Sequence, residues 1–342
     1  MKIIVGMSGG LDSSMAALLL KAAGHEVTGI TLKVWPAECA KAREDVCCDE
    51  RGIRSAADVA RRIGVEHRII DVESEFRKRV VTYFCNEYQR GRTPNPCAMC
   101  NSNIKFPVLL RYADEAGADA IATGHYARIV EQQGRFLLMR GVDRTKDQAY
   151  FLYGLTQSVL SRIVFPLGDL RKEDVRRMAE ERDLSVQMRA ESQEICFIPG
   201  NDYGAFLREA CGEGILPGDI LDKEGRVVGR HPGIEFFTIG QRGRLYLSSK
   251  VPRYVTSIDP KRRTITVGGL EDLARGEMKV SDMNWIAWDA PTGPFQTTVK
   301  IRYNHPGVMS EVTPQPDGTA IVRFDSPQNA VTPGQAAVFY DG

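Results

Sequence analysis

Ser8-Gly9-Gly10-Leu11-Asp12-Ser13-Ser14 decides the reading of this chain. The apolar run Lys2-Ile3-Ile4-Val5-Gly6-Met7 before it predicts a buried strand. The stretch Ser13 to Ala23 after it, with Met15, Ala16, Leu18, Leu19 and Leu20, predicts a helix that stops at Gly24. Strand, Gly/Ser loop and helix N-terminus together form a phosphate cradle, because backbone N–H groups converge and the helix dipole favours an anion. The loop lacks the Gly-Lys-Ser/Thr ending of a Walker A loop, so no lysine is expected to reach a β- or γ-phosphate. Ser8, Ser13 and Ser14 supply hydroxyl donors. Asp12 adds a negative charge, which a Mg²⁺ ion bridging it to the phosphates would offset.

The pattern SGGxDSS resembles the PP-loop of ATP pyrophosphatases, which cleave between the α- and β-phosphates. At 342 residues, 43% hydrophobic and 26% charged, the chain is expected to hold two or three globular domains. No apolar run reaches membrane-span length, and the N-terminus enters a strand without a signal peptide, so a cytoplasmic location is expected. Eight cysteines in that setting predict thiols rather than structural disulfides. The net charge of +1 neither demands nor excludes a nucleic-acid partner. Basic pairs such as Arg61-Arg62, Arg171-Lys172 and Arg176-Arg177 read individually as solvated faces.

Strand and helix signals alternate over the first two hundred residues: strands Glu26 to Val34, Val65 to Val72 and Ala118 to Thr123, helices Arg54 to Ile63, Glu75 to Tyr88 and Ile104 to Ala116. This predicts an α/β, doubly wound, mostly parallel sheet with ligands beyond the strands' carboxyl ends. From about residue 207 short β-rich runs dominate. They predict a small β-rich central domain and a C-terminal β-barrel, with boundaries at 1–206, 207–275 and 276–342.

A second dense motif, Gly91-Arg92-Thr93-Pro94-Asn95-Pro96-Cys97-Ala98-Met99-Cys100-Asn101, carries a Cys-x-x-Cys whose spacing suits a metal, a cluster or a redox pair. Cys47-Cys48 is adjacent rather than spaced, which supports a four-cysteine zinc site only weakly. Cys196 has no local explanation. The ensemble of GMSGGLDSS (6–14), GRTPNPCAMCNSNIKF (91–106), ATGHYAR (122–128), KDQAYFLY (146–153), ESQEICFIPG (191–200) and TPGQAAVFY (332–340) resembles the bacterial tRNA-specific 2-thiouridylase family over nearly the whole chain. The resemblance implies ATP at Gly6, Met7, Ser8, Gly9, Gly10, Leu11, Asp12 and Ser13, with Leu32 and Gly124 also on the nucleotide. It implies Cys100 as nucleophile and Cys196 as persulfide carrier. It implies Asn95, Pro96 and Cys97 beside the target base, and tRNA contacts from His125, Lys146, Asp147, Gln148, Arg302, Tyr303 and Gln335.

The implied reaction adenylates the carbon-2 oxygen of the wobble uridine, position 34, using ATP and Mg²⁺, and then replaces it with sulfur from a donor such as a cysteine desulfurase or relay protein. Two sulfur routes stay open: a persulfide relay from Cys196 to Cys100, or a 4Fe–4S cluster on Cys97, Cys100 and Cys196 with one open iron. Tyr126, Tyr150, Phe151 and Tyr153 are candidates for stacking on an extruded base, against the commoner role of core packing. Lys300 and Arg242 are further candidates for RNA contact. Cys39, Cys47, Cys48, Cys85 and Cys211 read as structural or accessory. The competing readings are another PP-loop adenylating ligase, which needs no paired thiols, and a non-enzymatic RNA-binding module.

Overall fold

A computed structural model describes residues 1–34, 50–184, 195–198, 202–211, 214–245, 247 and 251–341. Cys39, Cys47 and Cys48 therefore lie outside the described residues. The chain divides into two compact units, Met1–Val80 with Pro96–Asp202, and Val81–Asn95 with Tyr203–Gly342.

The first unit is built on five strands: β1 (Lys2–Gly6), β2 (Glu26–Lys33), β3 (Glu66–Asp71), β4 (Ala120–Ala122) and β7 (Ile163–Val164). They pair in the order β3-β2-β1-β4-β7, all parallel. Ile3, Ile4 and Val5 are buried in succession, as a strand covered on both faces requires. Helices α1 (Leu11–Ala22) and α2 (Glu50–Arg62) cover the sheet, with Met15, Leu20, Ala56 and Val59 in its core. The chain steps outward from β1 to β3 and then returns to β4 on the other side of β1. This reversal falls between β1 and β4, whose carboxyl ends lead into loop 8–14 and Thr123-Gly124-His125, the place where open parallel sheets commonly take ligands.

Three local departures follow from backbone chemistry. The expected helix from Ile104 starts earlier and has three parts: α3 (Pro96–Cys100), a π-helical turn Asn101–Lys105, and α4 (Phe106–Glu115). Pro107 has no N–H for the carbonyl of Asn103, and the turn widens just ahead of it. The expected helix Glu75 to Tyr88 is likewise interrupted, by a π turn at Arg77–Val81. An antiparallel hairpin, β5 (Ala127–Gln132) with β6 (Arg135–Arg140), stands where strand–helix alternation was expected to continue. Gln133 and Gly134 both take positive φ, 52° and 74°, as a two-residue hairpin turn demands. After β7 comes α5 (Lys172–Glu180).

In the second unit the helix Thr82–Gln89 and α6 (Tyr203–Ala210) pack through Phe84, Tyr88, Tyr203 and Phe206 in edge-to-face contacts. Cys85 and Cys211 are disulfide-bonded there, with Cα atoms 5.3 Å apart. This corrects the expectation of thiols throughout. A four-stranded sheet follows, ordered β10-β11-β8-β9, from β8 (Gly218–Leu221), β9 (Val227–His231), β10 (Tyr254–Asp259) and β11 (Thr264–Gly268). Ile220, Phe237, Val255 and Ile265 fill its core. The last sheet is antiparallel, β12-β15-β14-β13-β16, from β12 (Ala274–Val280), β13 (Phe295–Lys300), β14 (Val308–Pro314), β15 (Ala320–Asn329) and β16 (Val338–Tyr340). Val299, Val312, Val322 and Phe324 form a separate core.

Candidate functional site

Loop 8–14 is held by its own hydroxyls. Ser13 Oγ and Ser14 Oγ both donate to the Gly10 carbonyl, at 3.1 and 2.9 Å, and the Ser8 N–H donates to Ser13 Oγ at 3.1 Å. Ser13 and Ser14 are buried. Without a ligand these two hydroxyls hold the loop's shape, and the backbone N–H groups at the start of α1 are of the kind that meets an anion. Gly9 has φ 77° and lies against the backbone of Gly52 in α2, while Ser55 Oγ donates to its carbonyl at 3.0 Å. Below the loop, Met7 N–H donates to the Ile30 carbonyl and Thr31 Oγ1 to the Met7 carbonyl, both at 2.8 Å. Leu32 is half-buried near the carboxyl end of β2.

Asp12 is the loop's charged member, and the fold supplies a partner that sequence reading missed. Lys172 Nζ donates to both Asp12 oxygens, at 2.7 and 2.8 Å, and Tyr126 OH donates to Oδ1 at 2.9 Å. Lys172 is only 4% exposed, so the solvated basic face expected of Arg171-Lys172 does not exist at that position. Its contact with Asp12 puts a buried lysine beside the loop, although none lies within the loop itself. One carboxylate on the loop still fits Mg²⁺, which commonly takes one or two carboxylates together with phosphate oxygens.

Gly124 packs directly on this turn. A Cβ there would lie 2.6 Å from the Asp12 carbonyl carbon and 2.7 Å from the Ser13 nitrogen. His125 follows, with its ring stacked near Phe106 at 5.9 Å. Its Nδ1 is hydrogen-bonded to Thr123 Oγ1 at 2.7 Å, and Lys105 Nζ stands 3.5 Å from Nε2. Lys105 has only protons to give, so Nε2 accepts and Nδ1–H donates to Thr123. Burial, with Lys105 beside it, holds the imidazole well below its usual range, which keeps it neutral.

Lys105 also joins His125 to Cys100. Cys97 and Cys100 are three residues apart on α3, hence on one helix face. Burial pushes the Cys100 thiol up, and the Lys105 ammonium and N–H oppose that push. Cys196 is half-buried; the next residue, Phe197, packs edge-on against Phe76, just past β3, at 5.5 Å. Cys97, Cys100 and Cys196 are not disulfide-bonded. Among the described residues, no three His, Cys, Asp or Glu side chains gather as a metal-holding group. Cys97, Cys100 and Cys196 are thus not gathered in this structure as the ligand set of a 4Fe–4S cluster.

The remaining expected RNA-facing residues divide by role. Asp147 is buried and accepts from the N–H groups of Gly141 and Ala149, which shapes its loop. Gln148 Oε1 accepts from Tyr126 N–H at 3.0 Å, and Lys146 is half-buried in the same loop. Tyr126 and Tyr150 are buried, in keeping with the commoner role of core packing. In the second unit, Gln335 Nε2 donates to the Thr93 carbonyl at 3.0 Å and lies 3.4 Å from that of Pro94. Thr93 N–H donates to the Pro333 carbonyl. Two motifs some 240 residues apart thus meet, and the backbone leading to Asn95 and Pro96 is fixed by Gln335. Arg302 is exposed, donating to the Asn329 carbonyl, and Tyr303 lies under Lys300 Nζ.

A parallel sheet with a Gly/Ser phosphate loop at its reversal point, and a thiol helix at the same edge, defines a nucleotide-using enzyme class of the PP-loop type. Family models match residues 1–200 (tRNA methyl transferase HUP domain), 204–269 (tRNA methyl transferase PRC-barrel domain) and 275–342 (Aminomethyltransferase beta-barrel domain). The tRNA-specific 2-thiouridylase MnmA of Chloroflexus aggregans is 46% identical over 99% of this chain and 95% of its own. The same-named proteins of Geobacter metallireducens (46%, covering 100% and 94%) and Clostridium acetobutylicum (42%, covering 100% and 96%) match equally fully. The chain belongs to the tRNA-specific 2-thiouridylase family. Among the described residues no helix is long and apolar enough to cross a membrane.

Proposed function

We propose that this chain is a tRNA-uridine 2-sulfurtransferase that consumes ATP, releases pyrophosphate and AMP, and installs sulfur at carbon 2 of the wobble uridine. The observation that carries this reading is the continuous run of contacts from Cys100 through Lys105, His125 and Gly124 to Asp12 on the phosphate loop. A sulfur-handling residue and a phosphate cradle share one edge of one sheet, which an adenylating ligase has no use for.

The loop N–H groups hold the ATP phosphates, and Mg²⁺ on Asp12 would offset charge on the departing pyrophosphate. The uridine O2 attacks the α-phosphorus, converting a poor leaving group into AMP. Cys196 carries a persulfide delivered by a donor such as a cysteine desulfurase. The Cys100 thiolate attacks the Cys196 sulfur, forms a disulfide with it and releases hydrosulfide. Hydrosulfide adds at carbon 2 and AMP departs. Two equivalents of a small thiol, oxidised to their own disulfide, then return two electrons and reopen the Cys100–Cys196 disulfide. Neutral His125 serves as a hydrogen-bonding neighbour of the base rather than as a phosphate-binding cation. Asn95, Pro96 and Cys97 lie beside the base, with Lys146, Arg302 and Tyr303 on the tRNA backbone. Gln148 and Gln335 act by fixing the loops that approach the RNA.

The test is thiolation of unmodified tRNA, read by nucleoside mass spectrometry beside pyrophosphate release. Cys100→Ser and Cys196→Ser should each abolish 2-thiouridine while tRNA-dependent pyrophosphate release persists. Full thiolation by either variant would refute the relay.

A further inference from the structure

Thr93 is bound through every one of its polar groups, by two stretches of the second unit far from it in sequence. Its N–H donates to the Pro333 carbonyl at 2.8 Å and its carbonyl accepts from Gln335 Nε2 at 3.0 Å. Its hydroxyl donates to Thr238 Oγ1 at 3.0 Å. Thr93 is only half-buried, so water could satisfy these groups; protein partners at all three fix where the residue sits. Both stretches are shaped for the contact. Gly334 takes φ 92°, and a Cβ on it would stand 2.8 Å from the Thr93 carbonyl oxygen and 2.9 Å from the Thr93 nitrogen. Only glycine lets the two backbones come that close. Thr238 opens a turn that is held by its own bonds. Its N–H donates to Gln241 Oε1 at 3.1 Å, its carbonyl accepts from the Gln241 N–H at 3.0 Å, and Gly240 N–H donates to the Val255 carbonyl on β10 at 2.8 Å. This turn also touches the other stretch, since a Cβ on Gly240 would lie 2.7 Å from the Ala330 Cβ. On the near side, Arg92 N–H and Nε donate to the Glu87 carbonyl and to Glu87 Oε2, at 2.9 and 2.6 Å. The helix Thr82–Gln89 and the loops of both C-terminal sheets thus converge on the turn that leads into Asn95.

We propose that Thr93 and Thr238 are positioning residues for the thiolation step, their paired hydroxyls setting the Thr93–Asn95 backbone so that the target uridine meets it in one fixed pose. The inference rests on the thiouridylase reading above, which puts Asn95 beside the base. Thr238 touches no substrate; it acts through Thr93. The four-stranded sheet therefore has a part in the chemistry besides any hold on the RNA backbone: it completes the loop that receives the base. Loss of the hydroxyl pair loosens that loop by one bond while Gln335 and Pro333 keep it folded, so the damage falls on the turnover of bound tRNA and not on its capture.

The experiment is a double-mutant cycle on the full chain: Thr93→Val, Thr238→Val and both together, with Thr238→Ser as the conservative variant and circular dichroism as a fold check. It reads kcat for 2-thiouridine formation, the Kd for unmodified tRNA, and ATP affinity without tRNA. Each valine variant should lower kcat about three- to tenfold, the worth of one hydrogen bond, and leave tRNA Kd and ATP affinity within roughly twofold of wild type. The double variant should be no slower than the slower single one, because all three lack the same bond. Thr238→Ser, which keeps the hydroxyl, should recover most of the rate. Unchanged kcat in a folded Thr238→Val chain, losses that multiply in the double variant, or a loss carried by tRNA Kd would each overturn the inference. A Thr238→Val chain that does not fold is replaced by Thr238→Ala, for which the same outcomes decide. Folded wild type that forms no 2-thiouridine would instead overturn the thiouridylase reading itself.

Discussion

Gly124→Ala is the sharpest probe of how the phosphate loop is supported. Its φ is not in the left-handed region, so alanine brings no backbone strain, only a methyl group. That methyl would stand 2.6 Å from the Asp12 carbonyl carbon, 2.7 Å from the Ser13 nitrogen and 2.8 Å from the Asp12 oxygen. All three are main-chain atoms at the first turn of α1, so none swings aside. The clash is about 0.8 Å inside ordinary contact, and overpacking of this kind costs about 1–3 kcal/mol. For a unit of this size the melting temperature should fall roughly 2–10 °C. On the proposed function these atoms position the phosphates, so pyrophosphate release should fall further, on the order of a hundredfold. Gly117→Ala provides the control. Its φ of 60° makes alanine strained, but nothing lies within 4 Å of its Cβ. It should lose a comparable amount of stability, about 1–2 kcal/mol, and keep its use of ATP. A Gly124→Ala protein with wild-type ATP affinity and pyrophosphate release would refute the packing argument.

Lys105→Met should raise the pH of half-maximal Cys100 alkylation by iodoacetamide, since burial already lifts that thiol and the lysine opposes the lift; an unchanged profile would remove Lys105 from the thiol's surroundings. His125 stays neutral in the folded chain while the unfolded chain takes a proton near pH 6.5, so its stabilisation is complete above that pH and is lost as pH falls below it, by at most about 1.4 kcal/mol per pH unit. His67, His231 and His305 shift in the same direction, so His125→Gln should make the acid-side decline in melting temperature shallower without abolishing it. Replacing Cys85 and Cys211 with serine removes a cross-link between residues 126 apart and should cost about 2–5 kcal/mol, with melting that no longer responds to reductant. An equal response to reductant in wild type and variant would contradict the pairing.

What was legible in the sequence was local. The phosphate loop reads directly because strand, loop and helix start are contiguous, and the parallel sheet follows from the alternation around it. Lys172 was hidden because its meaning depends on a carboxylate 160 residues away; beside Arg171 it looks like an ordinary surface base. Lys105 was hidden by the π turn, which brings it back to Cys100 and His125 and whose only local signal is Pro107. The hairpin β5–β6 had a signal in Gln133-Gly134, set among charged residues that blur the alternation. Strands such as β12, Ala-Arg-Gly-Glu-Met-Lys-Val, are mostly exposed along their length and carry little apolar pattern. The part that the Ser13 and Ser14 hydroxyls play in holding the loop itself was not legible, because a loop serine serves ligand and backbone equally well on paper; both are buried and bonded to Gly10.

The central claim is that an oxygen of the RNA base leaves on AMP. Transfer RNA labelled with ¹⁸O at carbon 2 of its wobble uridine, incubated with this protein, ATP and a sulfide source, tests it in one turnover by mass spectrometry of the AMP. The account predicts one ¹⁸O in the AMP phosphoryl group for each 2-thiouridine formed. Thiolated tRNA accompanied by unlabelled AMP, with the isotope released to water, would contradict it.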